Sequence, residues 1–155
     1  MVTRINEHEG WMDIAFIVAK RSKCVRSQVG CVIVGADGRV VSTGYNGPPA
    51  KYAPGRAFSC AGFCPRHDAT ERAPDFSDCP SVHAELNALL YARSDELVGA
   101  TVYITRDPCW SCALAIAASG ASYVSWPRSE PTDREASVIA LLLSSRIQIM
   151  EPYTR

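Results

Sequence analysis

Hydrophobic and polar positions alternate along this chain in two periods, which together lay out most of its elements. From Glu9 to Arg21, apolar residues recur at Trp11, Ile14, Ala15, Phe16, Val18 and Ala19. That spacing predicts an amphipathic helix with one broad buried face. Val29 to Val34 is a β-branched run and predicts a strand; Asp37-Gly38 is a hairpin turn signal, and Arg39 to Gly44 predicts the returning strand. Tyr45-Asn46-Gly47-Pro48-Pro49 then breaks the order. Val82 to Ala92 predicts a second helix, with Leu86, Leu89 and Leu90 on one side and Ser81 placed to cap it. A strand over Thr101 to Thr105 precedes an Ala-rich helix from Cys109 to Ser119, which Gly120 ends. Ser122 to Trp126 predicts a strand, Asp133 to Ser144 a helix, and Arg146 to Met150 a last strand. Strands alternating with helices indicate an α/β layered sandwich around one sheet.

Residues 46 to 81 do not fit either period. The stretch is rich in Gly, Pro, Cys and charge, and a compact domain rarely keeps a structureless loop of this size. Its cysteines suggest a pin. With 155 residues the chain suits one domain, with no repeat or boundary to divide it. Lys and Arg total 16, as do Asp and Glu, so no basic excess offers a general nucleic-acid footprint. The balance favours a small-molecule substrate. No apolar run is long enough to span a bilayer, and the first nine residues lack the layout of a signal peptide. The expectation is a cytoplasmic protein with no membrane partner. Seven cysteines, an odd count, argue against a disulfide framework and for metal binding. Cys31, inside an apolar strand, is expected in the core.

The chemistry concentrates in His83-Ala84-Glu85 and Pro108-Cys109-Trp110-Ser111-Cys112. This H-x-E … P-C-x-x-C pattern resembles the signature of zinc-dependent nucleobase deaminases. His83, Cys109 and Cys112 supply three ligands, and a catalytic zinc site keeps its fourth position for water, whose pKa falls to ~7 in favourable sites. Cys-x-x-Cys at a helix start turns both sulfurs towards one point, and the helix dipole favours thiolates there. Glu85, two residues after His83, is placed beside the metal without binding it and is the expected proton carrier. A redox pair or half a structural zinc site is the bland alternative for the two cysteines alone. Neither accounts for an acid beside an open metal position.

His83-Ala84-Glu85-Leu86-Asn87-Ala88, Gly44-Tyr45-Asn46-Gly47, Gln28-Val29-Gly30 and the P-C-W-S-C segment together resemble the deoxycytidylate (dCMP) deaminase family, over roughly residues 10 to 126. The resemblance implies a three-layer α-β-α sandwich with a central mixed sheet, cytidine deaminase-like. It implies hydrolysis of dCMP to dUMP and ammonia with a zinc-activated water, in a homohexamer. It also implies dCTP and dTTP as effectors, with Mg2+, at an allosteric site between subunits. By the same resemblance Asn46 would contact the deoxyribose hydroxyl and Ala84 would line the substrate site. Arg26 and Arg128 are the candidates for the substrate phosphate, since Arg offers bidentate contacts. Asn46 is equally a turn residue, because Asn-Gly-Pro is turn chemistry.

Cys24, Cys60, Cys64 and Cys79 fit a second, structural zinc that the resemblance implies in the insertion at about 47–81. Four Cys make a closed tetrahedral site, and a metal clip would fix a long, poorly apolar segment. His67 is the alternative to one of these sulfurs. The resemblance weakens after Trp126, where Pro127-Arg128-Ser129-Glu130-Pro131 replaces a Tyr-containing, Asp-rich segment. Arg106-Asp107 is a charged pair where the pocket edge is expected, which raises 5-methyl or 5-hydroxymethyl dCMP as alternative substrates. A free cytidine-type nucleoside is a further alternative. An RNA-editing deaminase would need a basic groove and stacking aromatics.

Overall fold

A computed structural model describes residues 4–49, 79–127 and 132–150. Its element order is α1 (Glu7–Ala19), β1 (Gly30–Val34), β2 (Val40–Tyr45), α2 (Ala84–Leu90), α3 (Ser94–Leu97), β3 (Thr101–Ile104), α4 (Trp110–Ser119), β4 (Tyr123–Ser125), α5 (Asp133–Ser144) and β5 (Gln148–Ile149). The five strands form one sheet in the order β2-β1-β3-β4-β5. β1 pairs antiparallel with β2 and β3, while β3–β4 and β4–β5 are parallel. The sheet is therefore mixed, as expected. The parallel half needs helical crossovers, and α4 and α5 supply them.

The alternation of side chains across β1 and β3 sorts the core into two layers. Val32, Val34 and Tyr103 face α1, where they meet Met12 and Ala15. Cys31, Ile33, Val102 and Ile104 face the opposite way and join Ala84 and Ala88 of α2, Ala113 and Ile116 of α4, and Val138 and Leu142 of α5. A strand buried on both faces reads as a continuous apolar run, which is why Gly30–Val34 shows no polar position. Cys31 is fully buried, and burial pushes its thiol up from the usual range.

Two glycines set how closely the helices approach the sheet. A Cβ on Gly30 would lie 2.1 Å from the Ala15 carbonyl oxygen, and one on Gly44 would lie 2.2 Å from the Ala84 carbonyl oxygen. The backbones of α1 and α2 thus rest directly on β1 and β2, and no other residue leaves that space. Helix ends follow local signals. Asn6 caps α1 by accepting from the His8 N–H at 2.8 Å, Thr132 caps α5 by accepting from the Glu135 N–H at 3.2 Å, and Gly120 ends α4 with φ +91°. Ser81 does not cap α2. The cap position falls to His83, whose side chain makes no capping bond, and the Ser81 hydroxyl lies near the Val82 carbonyl instead. Short helix α3 was not expected from the pattern; at four residues it carries too few positions to show a period.

Among the described residues, no helix is long and apolar enough to cross a membrane.

Candidate metal centre

His83 and Cys109 occupy equivalent places, each the last extended residue before a helix: φ −68°, ψ 154° for His83 ahead of α2, and φ −77°, ψ 167° for Cys109 ahead of α4. α2 and α4 pack against each other on one face of the sheet, which brings the two helix starts together. The entry to α2 is steered by a short antiparallel bridge between Gly47 and Val82. Cys112 lies in the first turn of α4, fully buried. His83 Nδ1 is 3.4 Å from the sulfurs of both Cys109 and Cys112. The three donor atoms all lie within 4.8 Å of one another. In a tetrahedral site with Zn–N near 2.0–2.1 Å and Zn–S near 2.3 Å, the N···S edge is about 3.5 Å. The donor set therefore fits zinc in element type and in size.

The ionisation of these groups is interdependent. A hydrogen bond from the Cys112 thiol, reinforced by His83, brings Cys109 down to about 4. Cys112, donating to Cys109, buried, and beside Glu85, is pushed well above the usual thiol range. Two sulfurs this close do not both ionise without a cation between them. His83 is raised, chiefly by the Cys109 sulfur, with burial acting against it. Glu85, in the first turn of α2 two residues after His83, is 3% exposed. Desolvation raises its carboxyl above the ordinary carboxylate value. His83, Glu85, Cys109 and Cys112 are thus gathered at one point, with Glu85 beside the three donors.

Asn46 is 8% exposed and is held from three sides. Its Oδ1 accepts from the Val29 N–H at 2.8 Å and the Ser22 hydroxyl at 2.6 Å, while its Nδ2 donates to the Ser27 carbonyl at 2.8 Å. These bonds fix the amide orientation and tie β2 to the segment after α1. They engage one of the two Nδ2 hydrogens. Ser22 and Ser27 were not singled out in the sequence; only the fold brings them to Asn46. Ala84 is fully buried. Arg26 is exposed, on an open cleft of about 730 Å³ lined by Ser22, Lys23, Cys24, Val25, Arg26, Ser27 and Gln28. Asp107 pairs with both Arg106 and Arg134 of α5. Cys24 and Cys79 are free, partly buried thiols. Cys60, Cys64, His67 and Arg128 lie outside the described residues.

The profile of the cytidine and deoxycytidylate deaminase zinc-binding region matches residues 5–126. The deoxycytidylate deaminase of Mycobacterium phage D29 is 44% identical over 133 residues, covering 82% of this chain and 98% of that protein. The chain belongs to the deoxycytidylate deaminase family. Family membership makes it an enzyme with a zinc-binding site, and the three donors described above are positioned for that metal. The deoxycytidylate deaminase of Saccharomyces cerevisiae is 39% identical over 128 residues; the chain spans 39% of that longer protein. The dCMP deaminase of cyanophage S-TIM5, solved in complex with dCMP and dUMP, superposes with a TM-score of 0.74. That match covers 98% of this chain and 100% of the cyanophage protein at 23% identity, so it establishes the shared cytidine deaminase-like fold.

Proposed function

We propose that this chain hydrolyses dCMP to dUMP and ammonia. The observation that carries the chemistry is the buried Glu85 carboxyl beside three convergent donors, one imidazole and two thiols. The 44% identity across nearly the whole of a phage deoxycytidylate deaminase selects the substrate. His83, Cys109 and Cys112 would hold the zinc. When bound there, zinc supplies Lewis acidity that makes water a nucleophile near neutral pH. Glu85 carries the protons: it accepts one from the attacking water and passes it to the ring nitrogen beside C4, then takes the second from the new C4 hydroxyl and delivers it to the amine, which departs as ammonia while the C4 oxygen becomes the keto group. A carboxyl shielded from solvent and next to the reacting atoms suits both transfers.

Around this centre, Asn46 would donate its remaining amide hydrogen to the deoxyribose hydroxyl, Ala84 would line the site, and Arg26 with Arg128 would meet the phosphate. Cys24, Cys60, Cys64 and Cys79 would hold a second, structural zinc that pins the insertion at about 47–81 within a single deaminase domain. We also read the enzyme as a cytoplasmic homohexamer regulated by dCTP and dTTP with Mg2+. The exposed Leu90 and Tyr91 at the end of α2, and Trp110 and Leu114 one turn apart on α4, support association of subunits. The partly buried Arg106–Asp107 pair keeps a second reading open, a dCMP carrying a 5-methyl or 5-hydroxymethyl group.

The test compares dCMP, 5-methyl-dCMP, 5-hydroxymethyl-dCMP, deoxycytidine and dCTP under one set of conditions, following ammonia release. Preference for dCMP is expected. Turnover of none of them would defeat the assignment, and a preference for deoxycytidine would move it to a nucleoside deaminase.

A further inference from the structure

Arg106 comes from the loop that leads into the metal ligand Cys109, yet its side chain reaches the cleft-forming segment 22–28. Its Nη1 donates to the Ser27 hydroxyl at 3.1 Å. Its Nε lies 3.6 Å from an Asp107 oxygen, and the side chain remains 38% exposed. Among the described residues, the cleft beside it is lined by two cationic side chains, Lys23 and Arg26. Two contacts tie that cleft to segments that lead into the metal ligands. Lys23 packs against Gly47, with its Cβ 3.6 Å from where a Gly47 Cβ would lie, and Gly47 is bridged to Val82, the neighbour of His83. Ser27, on the other wall, holds Arg106. Asp107 does not neutralise this region, because it is shared with Arg134 and so sets one carboxylate against two guanidiniums.

We propose that Arg106 determines specificity for a nucleoside monophosphate over the nucleoside, by joining Arg26 in taking the 5′-phosphate at the mouth of this cleft. The proposal rests on the dCMP reading above. Guanidinium suits the task because its planar fork grips two phosphate oxygens, which an ammonium does not. Ser27 pre-orients that fork, which lowers the entropy lost on binding.

The experiment measures kcat and KM for dCMP and for deoxycytidine in the wild type, R106A and R106K. It also measures binding of dUMP and of deoxyuridine by calorimetry, with zinc content and Tm as controls. R106A is expected to lose about 10- to 100-fold in kcat/KM for dCMP, mostly through KM, and at least tenfold less for deoxycytidine. R106K should recover part of the loss. Affinity for dUMP should fall in step while that for deoxyuridine changes little. Equal losses on nucleotide and nucleoside would make Arg106 a structural residue and overturn the proposal, as would an R106A enzyme indistinguishable from wild type. A wild type that fails to turn over dCMP defeats the function reading instead, and the dUMP and deoxyuridine arms then still decide the role of Arg106.

Discussion

Gly44→Ala tests the link between sheet packing and the metal centre. The added methyl carbon would stand 2.2 Å from the Ala84 carbonyl oxygen and 2.5 Å from the Ala88 backbone nitrogen. Non-bonded carbon needs roughly 3.2–3.5 Å from such atoms, so α2 would retreat from β2 by about 1 Å. Overpacking of this kind costs about 1–3 kcal/mol, which for a chain of this size lowers Tm by about 3–10 °C. The larger consequence is local. His83 leads directly into α2, and its Nδ1 sits 3.4 Å from both sulfurs. Zinc–ligand distances tolerate only about ±0.2 Å, so a shift of about 1 Å breaks the donor geometry. A displacement of that size at a reacting centre costs on the order of 10²-fold in rate. Thermal melting, zinc retention against a graded chelator, and kcat/KM for dCMP give three readouts. Gly120→Ala is the control: its left-handed φ of +91° costs about 1–2 kcal/mol at the far end of α4 from Cys112, so it should lower Tm while leaving zinc retention and turnover alone. A Gly44→Ala protein with wild-type zinc retention and turnover would refute the argument that this contact sets the position of His83.

Glu85→Gln should keep the fold and the zinc while losing about 10²–10⁴ in kcat, and an active variant would remove Glu85 from the proton path. Asn46→Ala removes three hydrogen bonds, a buried one to Val29 and partly buried ones to Ser22 and Ser27, and should cost about 2–4 kcal/mol in urea unfolding. A loss under about 0.5 kcal/mol would show that those bonds contribute nothing net. Metal analysis of the purified protein should return two zinc ions per chain, falling to one in Cys24→Ser/Cys79→Ser with a lower Tm. One zinc in the wild type would end the case for the structural site.

The layered α/β arrangement was legible because its strands and helices carry distinct periods. Val29 to Val34, predicted as a strand, matches Gly30–Val34, and the predicted helix Asp133 to Ser144 matches α5. The turn at Gly38 and the stop at Gly120 were legible for a local reason: both adopt positive φ, which glycine signals in sequence. The metal donors were legible because His83, Cys109 and Cys112 are rare residue types whose chemistry depends on identity and short spacing. What sequence order alone could not decide is whatever depends on segments far apart along the chain. The bonds of Asn46 to Ser22 and Ser27, the reach of Arg106 to Ser27 across 79 positions, and the contact of Gly44 with the backbone of α2 exist only after the sheet has assembled. Residue type and local period act through the backbone within a few positions. The distances that turn His83, Glu85, Cys109 and Cys112 into one centre are set by how closely two helix starts pack over the same sheet.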